Sequence, residues 1–148
     1  RRREIADFSL AHARRANNWD LVDMSCPKIL GIYLTYPQAD GTLPSRDILD
    51  SLAASDNLWE QRIGIVTNWM LIRHDEYTPC LRIATALLGH PHDLIHKATG
   101  WMLREVGKRD ISLLEDYLDA HVAAMHRTTL RYAIEKFSPT RRQYWMKR

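Results

Sequence analysis

Helical periodicity without any strand pattern is the feature that most constrains the fold of this chain. Apolar residues recur every three or four positions through most of the 148 residues, as they do in helices that bury one face. No segment shows the alternation of a half-buried strand. Turns containing Pro, Gly, Asn or Asp separate the periodic segments. The sequence therefore predicts an all-α domain.

The predicted helices start at recognisable capping residues. Ser45, Asp56 or Asn57, Asp93 and Asp110 each precede an apolar-periodic segment, and Gly107 is expected near a helix end. The helices are predicted over residues 5–15, 19–36, 45–55, 58–74, 77–88, 93–107, 110–122, 127–137 and 139–146.

These helices recur in pairs. The second helix of each pair begins near Trp19, Leu58, Asp93 and His126, a spacing of roughly 33 to 39 residues that approaches the unit of HEAT-type helical hairpins. Such hairpins stack into a curved α-solenoid whose concave face is lined by the second helices. We expect residues 1–148 to form one such domain, and Trp19, Asp23, Arg62, Trp101 and Arg104 to face its groove.

The two ends of the chain are basic and the middle is acidic. Residues 1–15 carry +3 and residues 127–148 carry +6, while the whole chain carries +3. This distribution suits a polyanion held at its edges, and it equally suits a solvated basic tail.

Several classes of protein are disfavoured. The longest mostly apolar run, residues 63–72, is much shorter than the roughly 20 residues that span a bilayer, so no membrane is expected. Cys26 and Cys80 cannot build a disulfide framework, which favours the cytoplasm. His90, His92 and His96 are interpreted as loop histidines rather than a metal site. No nucleophile triad or phosphate-binding glycine loop is present, and no cofactor is predicted.

The segment Asn17–Asp23 contains the strongest catalytic candidates. Trp19 and Asp23 share one helix face. Asp20 serves the helix start below the cap Asn18, so Asp23 is left without a structural role. Pro27 cannot donate to the carbonyl of Asp23, which places this carboxylate at a break in the helix. The alternative is that Trp19 anchors the core and Asp23 is a second helix-start acid.

Tryptophan and basic residues also recur together further along the chain. Arg62 follows Trp59 by three positions and Arg104 follows Trp101 by three, with Lys97 and Lys108 on either side. Such faces suit contact with a phosphate chain, although a solvated basic face over core tryptophans gives the same pattern. We interpret Trp59 as core. For Trp101 we favour function, because Gly100 is expected to leave an open approach to the ring.

A carboxylate between tryptophans is suited to stabilising a developing cation. Cleavage of an N-glycosidic bond passes through an oxocarbenium-like state, which a carboxylate below the sugar can stabilise while orienting water. A base that already carries positive charge leaves without a general acid.

Four motifs resemble the AlkD family of DNA alkylation repair glycosylases: Asn-Asn-Trp19-Asp-Leu-Val-Asp23, Leu58-Trp-Glu-Gln-Arg62-Ile-Gly-Ile-Val, Asp93-Leu-Ile-His-Lys-Ala-Thr-Gly-Trp101-Met-Leu-Arg104-Glu-Val-Gly-Lys-Arg-Asp110 and Arg127-Thr-Thr-Leu-Arg-Tyr-Ala-Ile-Glu-Lys-Phe137. The resemblance implies a HEAT-like solenoid that removes cationic alkylpurines of the N3-methyladenine and N7-methylguanine type from double-stranded DNA. It implies a cleft formed by Trp19, Trp101 and Asp23, with Arg62 and Arg104 at the DNA. Members of this family are thought to leave the lesion stacked, unlike enzymes that flip the base.

The residues and the resemblance together predict the site. Asp23, Trp19 and Trp101 are the catalytic candidates, and Arg62, Arg104, Lys97, Lys108 and Arg131 are the DNA-binding candidates, in a monomer without metal or cofactor. Family members carry further helices before the point where this chain opens without Met, so we expect it to be the C-terminal part of a longer domain. The alternatives are a non-catalytic HEAT-repeat protein that binds branched or damaged DNA, and a helical scaffold for protein partners.

Overall fold

The computed structural model describes residues 2–11 and 29–148, and the side chains of residues 2–6 and 29–148. Within these ranges the chain is helical, without a strand, so the all-α prediction is confirmed there. The helices are α1 Arg2–Ala11, α2 29–35, α3 Asp47–Ala53, α4 Leu58–Val66, α5 Asn68–Arg73, α6 Thr78–Ala86, α7 Asp93–Arg109, α8 Ile111–His121, α9 Arg127–Ala133 and α10 Pro139–Met146, with a 3-10 turn at Val122–Ala124.

Side-chain caps explain where several helices begin. Asn57 accepts the backbone N–H of Glu60 at 3.0 Å, and Asp110 accepts that of Leu113 at 3.1 Å. Both residues were predicted as caps. The prediction of Asp93 as a cap is wrong by one position, since Nδ1 of His92 accepts the N–H of Leu94 at 3.1 Å. A neutral imidazole nitrogen can replace the usual carboxylate or hydroxyl oxygen at a cap.

The helix predicted over residues 58–74 is divided into α4 and α5 at Thr67. Nδ2 of Asn68 donates to the carbonyl oxygens of Gly64 and Ile65, both at 3.1 Å. The backbone N–H of Met70 bonds to Thr67 O at 3.2 Å, a tighter turn than that of an α-helix. A side chain that competes for backbone carbonyls in this way interrupts regular helix.

Helix α7 is the centre of the packing. It contacts α4, α5, α6, α8 and α9, while α3 packs against α4 and α6. Its inward face contributes Ile95, Met102 and Leu103, which are fully buried. A single apolar core therefore packs against one side of the helix that carries four of the eight candidate residues.

Two glycines permit the closest helix crossings. A Cβ on Gly64 of α4 would lie 2.8 Å from the backbone nitrogen of Ala53, and one on Gly100 of α7 would lie 2.6 Å from the carbonyl oxygen of Thr129. Gly107 does not end α7, which continues to Arg109. A Cβ there would instead collide with the side chain of Leu114. Gly64 and Gly100 thus bring helix backbones together, whereas Gly107 makes room for a side chain.

Candidate nucleic-acid interface

Helix α7 presents four candidate residues as one stripe. Lys97, Trp101, Arg104 and Lys108 follow one another at intervals of four, three and four positions, so they lie along one side of the helix. The opposite side of α7 is buried in the core. The structure therefore brings these four predicted residues together.

Trp101 is half-buried and makes one side-chain hydrogen bond. Its indole Nε1 donates to Oε1 of Glu105 at 3.2 Å, one turn later on α7. The ammonium of Lys108 donates to the same oxygen at 3.1 Å. Glu105 therefore connects a predicted catalytic ring with a predicted DNA-binding cation.

The expectation that Gly100 leaves an open approach to Trp101 is wrong. Gly100 is buried on the side of α7 that crosses α9, where Thr129 and Tyr132 occupy the space beside it. The glycine allows α7 and α9 to pack closely, and it does not expose Trp101.

Arg104 is held by a carboxylate that follows α9. Its Nη1 forms an ion pair with Oε2 of Glu135, and its side chain is only 18% exposed. Its Nε is buried without a hydrogen-bond partner in the described part of the chain. Arg104 thus joins α7 to the segment just after α9 and keeps a limited surface for an external ligand.

Arg62 differs most from its predicted environment. The sequence placed it in the groove as a DNA contact, but only 2% of the residue is exposed. Its Nη1 donates to the carbonyl oxygen of Leu94 at 2.7 Å, which ties α4 to the first turn of α7. The prediction of a solvent-facing arginine is wrong, because the guanidinium satisfies a backbone carbonyl inside the fold.

The two candidate lysines are accessible. The side chain of Lys97 is 39% exposed and lies 3.4 Å from Asp93, and that of Lys108 is 46% exposed beside Glu105. The Lys97–Asp93 pair is exposed at both residues and is therefore weak, since water screens both charges. A phosphate can replace Asp93 as the partner of Lys97.

Arg131 lies at the edge of a cavity of about 430 Å³ between α9 and α10. Arg142 lines the other side, and the cavity walls between them are mostly apolar, with Ile134, Pro139 and Met146. In the described ranges neither Arg131 nor Arg142 forms an ion pair. These two cations remain available to an anionic partner.

Part of the basic C-terminal segment is neutralised internally. Arg141 forms two hydrogen bonds with Glu115, at 3.2 and 2.7 Å, and Arg148 lies 2.6 Å from Asp119. Both acids lie on α8. The formal charge of this segment therefore overstates the positive surface that it offers.

The histidines form a structural cluster. His90 Nδ1 accepts the backbone N–H of His92 at 2.9 Å, so its Nε2 donates to Gln61 at 2.8 Å. His96 donates to His90 O, and its ring stacks on His126 with centroids 3.9 Å apart. Burial and the neighbouring imidazoles lower the pKa of His90. No metal-binding group of three or more ligands occurs in the described ranges. His90 and His92 lie in the loop before α7, as interpreted, but His96 is buried inside α7, so its interpretation as a loop histidine is wrong.

Trp19 and Asp23, the remaining catalytic candidates, lie outside the described residues, so their positions relative to Trp101 stay predictions. The family comparison covers them, because a family model described as DNA alkylation repair enzyme matches residues 1–137. The chain belongs to this DNA alkylation repair family. A search of curated proteins found no match.

Two acidic neighbours of the candidate residues were not predicted from the sequence. Glu105 and Glu135 contact Trp101 and Arg104 respectively. Glu105 was detectable, because it lies four positions after Trp101 and three before Lys108. Glu135 was not, since its contact with Arg104 depends on how α9 crosses α7.

Among the described helices, none has the length and apolarity required to cross a membrane.

Proposed function

We propose that this protein is a DNA glycosylase that hydrolyses the N-glycosidic bond of positively charged alkylpurines in double-stranded DNA without flipping the base. The observation that carries the proposal is the match of residues 1–137 to the DNA alkylation repair family. The half-buried Trp101 among basic residues of α7 supports it. Asp23 stabilises the sugar cation and positions water, and Trp19 and Trp101 flank the deoxyribose.

The helical packing supports a HEAT-like arrangement. Helices α4, α7 and α9 contact one another in sequence, and α3 contacts α6. Stacked helical hairpins produce such contacts between every second helix. We propose that the row of α4, α7 and α9 forms the concave, DNA-facing side of a monomeric protein that acts in the cytoplasm.

The chemistry needs little beyond a carboxylate and a shielded sugar. An alkylated purine with a formal positive charge leaves as a neutral base, so no proton has to be supplied to it. The barrier then depends on stabilising positive charge on the deoxyribose, which a carboxylate and aromatic faces both achieve. Lys97, Lys108 and Arg131 hold the phosphates on either side, with Arg104 contributing its remaining donors.

Single-turnover release of N7-methylguanine from duplex DNA tests the proposal. We expect Asp23→Asn to abolish release while DNA binding persists, because the neutral amide stabilises a cation poorly. An unchanged excision rate would remove Asp23 from the mechanism. Binding to alkylated or branched DNA with no base release from the parent protein would instead favour the non-catalytic alternative.

The phosphate contacts have a separate test. Affinity for duplex DNA should fall as salt rises, and Lys97→Gln should reduce the slope of that dependence by about one unit. Arg73→Gln is a matched control, since Arg73 is an exposed cation on α5 that lies over the ring of Trp69. Binding that does not respond to salt would contradict the proposed interface.

A further inference from the structure

The carboxylate of Glu105 is the least expected group beside Trp101. Glu105 is not a surface residue with a free head group, because its side chain is only 18% exposed. Its Oε1 receives the indole N–H of Trp101 at 3.2 Å and the ammonium of Lys108 at 3.1 Å. Two donors on the same helix therefore hold one carboxylate oxygen in place.

The hydrogen bond constrains the orientation of the ring. An indole has a single polar donor, and rotating the ring by half a turn about its bond to Cβ moves that N–H to the other side. The alternative orientation breaks the bond and leaves a partly buried carboxylate with one donor fewer, which is costly. Glu105 thus selects which edge and which face of Trp101 point outward.

The charge of Glu105 also acts on the ring. A carboxylate that accepts the indole N–H pushes electron density into the π system, so the faces of the ring become more negative. A more negative face attracts a cation more strongly. Because water reaches Glu105 only partly, the effect is less screened than at an exposed acid.

We infer that Glu105 is a positioning residue for base excision: it orients Trp101 and makes the indole face more attractive to the positive charge that develops on the deoxyribose. The inference rests on the proposed glycosylase function. Glu105 touches neither sugar nor base in this role, and it acts only through Trp101.

Two substitutions separate orientation from charge. Glu105→Gln keeps an oxygen that accepts the indole N–H but removes the charge, whereas Glu105→Leu removes both and preserves helix propensity. In single-turnover excision of N7-methylguanine we expect a loss of about 3-fold for Gln and about 30-fold for Leu, with DNA affinity within about 2-fold of the parent. Glu115→Gln is the matched control, because this carboxylate pairs with Arg141, away from Trp101.

The indole N–H resonance of Trp101 provides a readout that does not depend on catalysis. Labelling with ¹⁵N-tryptophan and comparison with Trp101→Phe assigns the signal. We expect the Leu variant to shift it upfield, and the Gln variant to retain most of the parent shift. A resonance unchanged in Glu105→Leu, or parent-like excision by that variant, overturns the inference.

The same pair of measurements distinguishes this inference from the function on which it rests. A parent protein that releases no base refutes the glycosylase proposal, and with it the catalytic role of Glu105, whatever the resonance does. A parent protein that excises normally, alongside an equally active Glu105→Leu variant, refutes the role of Glu105 alone. A graded loss in the order parent, Gln, Leu, with the expected resonance shifts, supports both.

Discussion

The contact between α7 and α9 and the contact between α8 and α10 hold neighbouring helices by opposite means. At the first, Gly100 lets two backbones approach so closely that a Cβ would lie 2.6 Å from Thr129 O. At the second, Arg141 and Arg148 pair with acids of α8 at 2.7 and 2.6 Å. The first contact depends on a glycine, which has no side chain, and the second depends on long charged side chains.

The difference has consequences for function. The α7–α9 contact is joined by the Arg104–Glu135 ion pair, and it lies within the residues that match the repair family. Helix α10 begins at Pro139, beyond the matched residues 1–137. A backbone crossing fixes geometry to a fraction of an ångström, because close-packed atoms cannot yield. Ion pairs on flexible side chains fix a helix less strictly.

Gly100→Val should have the largest effect. The new side chain meets the backbone of Thr129, which cannot move without displacing α9, so we expect a loss of about 3 kcal/mol or more in the free energy of unfolding. Urea denaturation followed by circular dichroism measures it. Gly89→Val is the control, since a Cβ at Gly89 meets nothing within 4 Å. Equal stability of the two variants would show that the crossing is not tight.

Trp145→Ala tests the apolar part of the α10 contact. Trp145 is 2% exposed, and deleting a buried tryptophan costs about 3 kcal/mol or more when the whole fold depends on it. Because α10 is peripheral, we expect local release instead: hydrogen exchange should accelerate in residues 139–146 and stay unchanged in α7. Tyr144→Ala, at an exposed ring of the same helix, should change little. Loss of protection in α7 would mean that α10 supports the core.

Alkaline pH should destabilise the core without changing the arginine–carboxylate ion pairs of α10 and Arg148. Burial raises the pKa of Cys80 and of Tyr117 to about 12 each, from usual values of 9.0 and 10.0. Between the usual and the raised pKa values, these two groups ionise in the unfolded chain but stay neutral in the folded one. The free energy of unfolding is therefore unchanged below about pH 9 and falls towards pH 12. The two groups together should lose about 4 kcal/mol near pH 11, the larger part of it from Cys80. The urea midpoint should fall less between pH 9 and pH 12 in Cys80→Ala than in the parent. The same pH dependence in both proteins would contradict a raised pKa for Cys80.

Local chemistry made the helices predictable. Asn57 and Asp110 cap where the sequence indicated, because an N-cap needs only its own side chain and the next turn. The division at Thr67 was missed, since whether Asn68 bonds to backbone or to solvent depends on its burial. The spacing of Lys97, Trp101 and Lys108 likewise gave a shared face from sequence alone.

Tertiary contacts determined the rest of the candidate site. Nothing local distinguishes the buried Arg62 from the accessible Lys97, because each is a cation at a helical spacing from a tryptophan. Arg62 is held inside the fold by the carbonyl of Leu94, which lies on another helix. Gly100 was misinterpreted for the same reason, as its role is visible only once α9 crosses it.

Arg141→Gln should have the smallest effect and sharpen the comparison most directly. Arg141 pairs with Glu115 through two hydrogen bonds and lies 4.5 Å from the centre of the Tyr144 ring, but its side chain is 43% exposed. Water and salt therefore screen the pair, and we expect a loss of about 1 kcal/mol or less. Urea denaturation at low and high salt measures it: the difference between parent and variant should shrink as salt rises. Gly100→Val should lose the same free energy at both salt concentrations, because steric overlap does not respond to ions. A salt-independent loss in Arg141→Gln would place α10 in the same class of contact as the α7–α9 crossing.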